Sequence, residues 1–268
     1  MNKFNKVIFW CEFPKEVDWK KFNKIINFKI SVFIAAKSKK EFFYWKSKIK
    51  SKYVDVGVWP ILSKKDGYWF SGFCSKKSID KLFYFKDLKI KIDLEPPIID
   101  IKYNIYNILK FYGRLLLTKK SKNNDYLNER IIKLDKNSEI ILSGLPLPSF
   151  ISKIYGDSLK NNGNFYRNYF IYSTLMPKFL SPLTNIYYTW FIKKSIRIYK
   201  EKVMFAIGCI GHGIFYSEPI YKNINEFDKD MKFLLKNNVK NIVIFELAGL
   251  MNRDNPELWL DKIKSYKS

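Results

Sequence analysis

The chain has 268 residues, 47% of them hydrophobic and 18% aromatic, enough to bury a large core. Forty-nine lysines and arginines against 25 acids give a formal net charge of +24, a balance that attracts polyanions. Only five of those bases are arginines (Arg114, Arg130, Arg167, Arg197 and Arg253), the residue suited to bidentate phosphate and base contacts, and the lysines are scattered, so a nucleic acid or an anionic membrane is a partner the composition allows but does not favour.

The three cysteines, Cys11, Cys74 and Cys209, are odd in number and widely spaced, so they indicate neither a disulfide framework nor a zinc site. Free buried thiols suit a reducing compartment. The first residues carry too short an apolar run for a signal peptide, and no apolar run approaches the ~20 residues of a spanning helix. The expectation is a soluble, cytoplasmic protein with no transmembrane segment.

Strand-like and helix-like segments alternate along the chain, the pattern of a parallel α/β arrangement. A strand over 7–13 ends at Glu12 and Pro14, and Asp18 caps a helix through Trp19, Phe22, Ile25 and Ile26. A strand over 29–36 is followed by a helix over 39–52, capped by Ser38 and carrying Phe42, Trp45 and Ile49 on one core-facing stripe. The third strand, 54–62, runs into a loop with Gly67 and Gly72, then a short helix over 78–85.

The fourth strand, L-K-I-K-I-D-L-E over 88–95, delivers Asp93 and Glu95 to one side and is stopped by Pro96-Pro97. Helices over 101–118 and 126–134 precede a fifth strand over 139–143, and a loop-like segment with a short helix follows. A sixth strand over 169–175 leads to a helix from Ser181-Pro182 to about 201. A seventh strand over 203–210 opens into G-H-G-I-F-Y-S-E-P, and a helix over 225–237 follows it. An eighth strand over 241–247 and a helix from Pro256 complete the chain. Eight such units close a parallel sheet, so the expected fold is a single (β/α)8 TIM barrel domain over 1–268. The lack of a Gly-rich phosphate loop after the first strand argues against a dinucleotide-binding open sheet, although an open α/β sheet is the structural alternative.

Chemistry in such a barrel sits at the C-terminal strand ends. Those ends carry Glu12; Trp59, with Tyr68 and Trp69 in its loop; Asp93 and Glu95; Tyr172; His212 and Glu218; and Glu246, with Arg253 beyond. His212 is the only histidine, which rules out a His-rich metal centre, and there is no G-x-S-x-G elbow. No cofactor or metal is called for. Carboxylates and aromatic rings remain, the groups that cleave glycosidic bonds: one acid protonates the leaving oxygen and a second group stabilises or attacks the sugar cation. Glu246 is the preferred second carboxylate, with Glu218 and Glu12 as further candidates, and Trp59 and Trp69 are candidate sugar platforms.

The segment I-K-I-D-L-E-P-P resembles the end of the fourth strand in chitinase-like (family 18) glycoside hydrolases, where a D-x-E pair closes a D-x-x-D-x-D-x-E motif. Asp93 and Glu95 match, while Leu88 and Lys91 stand where the motif has its earlier acids. The resemblance implies Glu95 as general acid and Asp93 as its partner, orienting a substrate acetamido group. Tyr172 matches part of the family's sixth-strand segment but lacks the acid that follows there. The functional expectation is hydrolysis of a glycosidic bond in a carbohydrate substrate; the alternative is a non-catalytic barrel that binds a carbohydrate or polyanion.

Overall fold

The computed structural model describes residues 3–97, 113, 121–135, 138–159, 165–215 and 217–268. Eight parallel strands close into a barrel in chain order: β1 (Lys6–Cys11), β2 (Ile30–Ala36), β3 (Val54–Pro60), β4 (Ile90–Asp93), β5 (Ile140–Gly144), β6 (Tyr166–Phe170), β7 (Val203–Ile207) and β8 (Asn241–Phe245). β8 pairs back onto β1, with Lys6 opposite Asn241 and Trp10 opposite Phe245. The fold is therefore the expected (β/α)8 barrel and not an open sheet. The described helices are α1 (Trp19–Ile25), α2 (Lys39–Lys46), α3 (Lys76–Asp80), α4 (Asn124–Asp135), α5 (Ser149–Tyr155), α6 (Ser181–Tyr199), α7 (Ile224–Lys236), α8 (Leu247–Met251) and α9 (Pro256–Ser265). The helix expected over 101–118 lies outside the described residues. Among the described residues no helix is long and apolar enough to cross a membrane.

The strand alternation sorts side chains into two layers. Val7, Phe9 and Cys11 of β1 pack between sheet and helices, while Ile8 and Trp10 join Phe33, Trp59, Ile141, Met204 and Val243 in a plug inside the barrel. Gly57 makes room for that plug: a Cβ there would lie 2.4 Å from Cε1 of Phe33. The expected caps form. Asp18 accepts from the N–H of Lys21, and Ser38 from that of Glu41. All three cysteines are buried free thiols.

Several boundaries differ from the sequence reading, among them those of α2, β6 and β8. α2 stops at Lys46 rather than near 52 because Asn23 clamps the chain that follows, donating to Lys48 O and accepting from the N–H groups of Lys50 and Ser51. β6 begins at Tyr166 and ends at Phe170, because Arg167 and Asn168 are buried strand residues despite their polarity; Arg167 pairs with Asp157. β8 ends at Phe245, and Leu247 already begins α8. The Gly208–Cys209 and Phe245–Glu246 peptide bonds are cis.

Replacing Gly57 by Ala overpacks the plug against Phe33. We expect a loss of roughly 1–3 kcal/mol in chemical unfolding.

Candidate active site

β4 turns Ile90 and Ile92 toward the helices, which leaves Lys91 and Asp93 facing the barrel axis. Lys91 is 1% exposed, and its Nζ donates to Oδ2 of Asp93 at 2.6 Å. The same ammonium lies 3.2 Å from the ring centroid of Trp59 and 4.8 Å from that of Trp10. Burial pulls Lys91 down and pushes Asp93 up from their ordinary values, and each is drawn back by the other's charge. The Trp59 indole and the Ser143 hydroxyl also favour the Asp93 anion, although neither reaches full hydrogen-bond geometry. Trp59, expected as a sugar platform, is instead buried beneath Lys91 as part of the floor.

The alternation continues beyond the strand. Leu94 bridges to Phe70, and the Glu95 N–H donates to Phe70 O at 3.3 Å, so Glu95 shares the side of Asp93. Its carboxyl makes no hydrogen bond among the described residues. Burial, and then the Asp93 charge, push it well above the usual carboxylate range. Its electrostatic neighbours also include Lys91, Glu12 and Glu218, so β4 and the ends of β1 and β7 address one place.

Around that place runs a chain of hydrogen bonds. Tyr68 Oη donates to Glu12 Oε1 at 2.7 Å, and the Ile214 N–H to Glu12 Oε2 at 3.1 Å. The Glu12 N–H donates to Glu246 Oε2 at 3.0 Å, and the Gly249 N–H to Glu246 Oε1 at 2.7 Å. Both Glu246 oxygens are therefore used by backbone donors, and the residue caps α8. Arg253, just beyond Glu246 in the chain, does not pair with it. Arg253 instead donates to the carbonyls of Ile210 at 2.5 Å and Tyr221 at 2.8 Å, holding the loop after β7.

That loop lies directly on α8: a Cβ on Gly211 would sit 2.4 Å from Gly249 Cα. It thereby brings Glu218 to the mouth, where Oε2 accepts from the Gly213 N–H at 2.7 Å. A Cβ on Gly213 would meet Glu218 Oε2 at 2.7 Å and Glu12 Oε2 at 3.1 Å, so the two carboxylates flank the same point. Burial raises Glu12 to about 8 despite the Tyr68 hydrogen bond, with the Glu218 and Glu246 charges adding to the rise. Burial likewise raises Glu218 and Glu246 to about 7 against their backbone donors.

The remaining candidates divide. Tyr172 lies just past β6, stacked on Phe245 at 5.7 Å and 19°, and burial followed by charges including Asp93, Glu95 and Glu218 raises its hydroxyl well above the ordinary value. Trp69 is half-buried between Tyr68 and Phe215, with centroid distances of 5.7 and 6.1 Å. His212 is exposed and bonds within its own loop, Nδ1 to Glu218 O at 2.9 Å. The structure thus gathers Glu12, Asp93, Glu95, Tyr172 and Glu218 above a floor that includes Trp59, and sets His212 and Arg253 apart. Lys91 was read only as a departure from a motif; its strand parity was the signal that it points inward. A separate depression of about 520 Å³, edged by Lys6, Lys29, Lys52 and Lys267, opens at the N-terminal strand ends, away from these carboxylates.

The class these features define is a closed parallel barrel with a carboxylate-lined C-terminal mouth. No family model and no curated protein sequence matches the chain. Among solved structures, the PgaB (BpsB) glycoside hydrolase domain from Bordetella bronchiseptica is similar, with a TM-score of 0.62 and 10% identity over 97% of this chain and 99% of that one. The likeness is one of fold: both chains form the same barrel along nearly their whole length. A protein described as a copper homeostasis protein CutC, from Streptococcus agalactiae, aligns at a TM-score of 0.30 with 9% identity, over 91% of this chain and 100% of that one.

Two outcomes test this arrangement. Lys91→Met strands a buried Asp93 and is expected to cost about 3–5 kcal/mol in urea unfolding, part of which Asp93→Asn restores in the double variant. Glu12 is raised in the folded state, so its stabilising contribution is whole below pH 4.5 and is lost as the pH rises through about 8. Thermal unfolding of Glu12→Gln is expected to vary less across that window than that of the wild type.

Proposed function

We propose that the barrel hydrolyses a glycosidic bond, with Glu95 as proton donor. One observation carries the reading: Glu95 shares the barrel-facing side of Asp93, and burial together with that residue's charge raises its carboxyl well above the usual carboxylate range, toward the protonated form. A general acid needs that protonation state before the leaving oxygen departs. Asp93 supports Glu95, and Lys91 holds Asp93. Because Asp93 is engaged by Lys91 at 2.6 Å, catalysis with two enzyme carboxylates fits better than assistance by a substrate acetamido group.

The second carboxylate is Glu218. Among the described residues only its Oε2 is bound, and its value of about 7 leaves much of it ionised near neutrality. Glu12 braces it across Gly213, and Glu246 serves the backbone. Trp69 and Phe215 offer aromatic surface at the rim for the apolar face of a sugar ring. The 10%-identical glycoside hydrolase domain supports this reading through its fold.

Glu95→Gln is expected to lower turnover of an oligosaccharide about 10²–10⁴-fold, and far less that of a dinitrophenyl glycoside, whose leaving group needs no proton. Undiminished oligosaccharide turnover would remove Glu95 from the role. Unchanged sugar binding with no turnover by the wild type would mark a binding barrel instead. The wild-type pH–rate profile is expected to rise near pH 7 as Glu218 ionises, and Glu218→Gln to abolish that limb.

A further inference from the structure

We infer that the outer face of α6 is a docking surface for an anionic lipid bilayer. α6 has two distinct faces. Tyr188, Phe191, Ile192 and Ser195 are buried toward the barrel, where the Phe191 and Tyr169 rings meet at 4.8 Å. A second stripe steps along the helix by threes and fours: Leu183, Ile186 and Trp190, then Lys193 and Arg197. Its first half is apolar and in water. Leu183 is 67% exposed, Ile186 68% and Trp190 50%, and Phe179, in the turn that leads into the helix, is 80% exposed. These four include the three most exposed large hydrophobic side chains among the described residues, concentrated on one element.

The second half of the stripe is cationic. α6 contains no acidic residue, and Lys193, Lys194 and Arg197 lie on its C-terminal half. Trp190, Lys193, Lys194 and Arg197 line one shallow cleft, with the Lys194 ammonium 4.8 Å from the indole centroid. Apolar side chains, an indole and neighbouring ammonium groups on one helix match the layering of a bilayer surface, where acyl chains lie beneath anionic headgroups. The formal charge of +24 adds long-range attraction to the same surface. The composition alone did not favour such a partner; the grouping of these side chains on α6 does.

The test is flotation of the full chain with vesicles of phosphatidylcholine alone and of phosphatidylcholine mixed with phosphatidylserine. The expected result is recovery with the anionic vesicles only, declining as salt is added. Leu183→Glu with Ile186→Glu is expected to reduce recovery about tenfold. Lys193→Glu with Lys194→Glu should reduce it more than Lys39→Glu with Lys40→Glu, an equal change of charge on α2. All these positions are at the surface, and circular dichroism confirms that each variant is folded. Three results would overturn the inference: no recovery of the wild type, recovery unaffected by the α6 variants, or equal loss for both charge reversals. Sedimentation velocity covers the other occupant: self-association abolished by Leu183→Glu with Ile186→Glu, without lipid binding, would assign the face to a second copy of the chain. None of these measurements depends on the hydrolytic reading.

Discussion

A single ammonium group held in the middle of the barrel organises what surrounds it. Lys91 is removed from water, a cost recovered only by close partners: the Asp93 carboxylate and the faces of two indoles. The pair explains why Trp10 and Trp59 occupy the plug where aliphatic residues would pack as well. It also fixes the charge beside Glu95. Lys91 draws Asp93 back toward its anion, whose charge raises Glu95, while the Lys91 charge itself acts on Glu95 in the opposite direction. An ion pair below the mouth therefore acts, after burial itself, on the acid at its rim.

Above that pair, the mouth is assembled by carboxylates that capture backbone N–H groups. Gly249, Glu246, Glu12 and Ile214 form a continuous run from the first turn of α8, across the β8 and β1 ends, to the loop after β7, and Tyr68 joins it from the loop after β3. Glu246 and Glu12 look alike as strand-end acids, but their partners separate them. One closes a helix end; the other shares the space around Gly213 with Glu218. Arg253, by holding Ile210 and Tyr221, keeps this loop in reach without entering the site.

Much of the barrel was legible because its outer layer obeys simple periodicities: β-branched runs, caps at Asp18 and Ser38, and Pro182 in a first helical turn. Asp93 and Glu95 were found by the same rule of two. That rule also placed Lys91 inward, but an inward lysine contradicts the expectation that lysines are solvated, and the expectation prevailed. β6 was displaced because the polar Arg167 and Asn168 carry no strand signal, and the burial of Arg167 depends on its tertiary partner Asp157. The cap at Glu246 was hidden because glutamate is an uncommon N-cap. The meeting of Glu12 and Glu218 across Gly213 leaves no local signature, since it exists only once the barrel closes.

The formal charge of +24 counts every carboxylate as ionised. The mouth contradicts that count. Glu12, raised to about 8, holds its proton at neutrality, Glu95 is displaced in the same direction, and Glu218 and Glu246 are divided between their two forms. The Lys91–Asp93 pair changes nothing in the balance, because it carries no net charge whether or not the proton crosses. The folded protein at neutral pH is therefore more positive than its composition states, and unfolding, which returns these carboxyls to water, releases protons into the surrounding buffer.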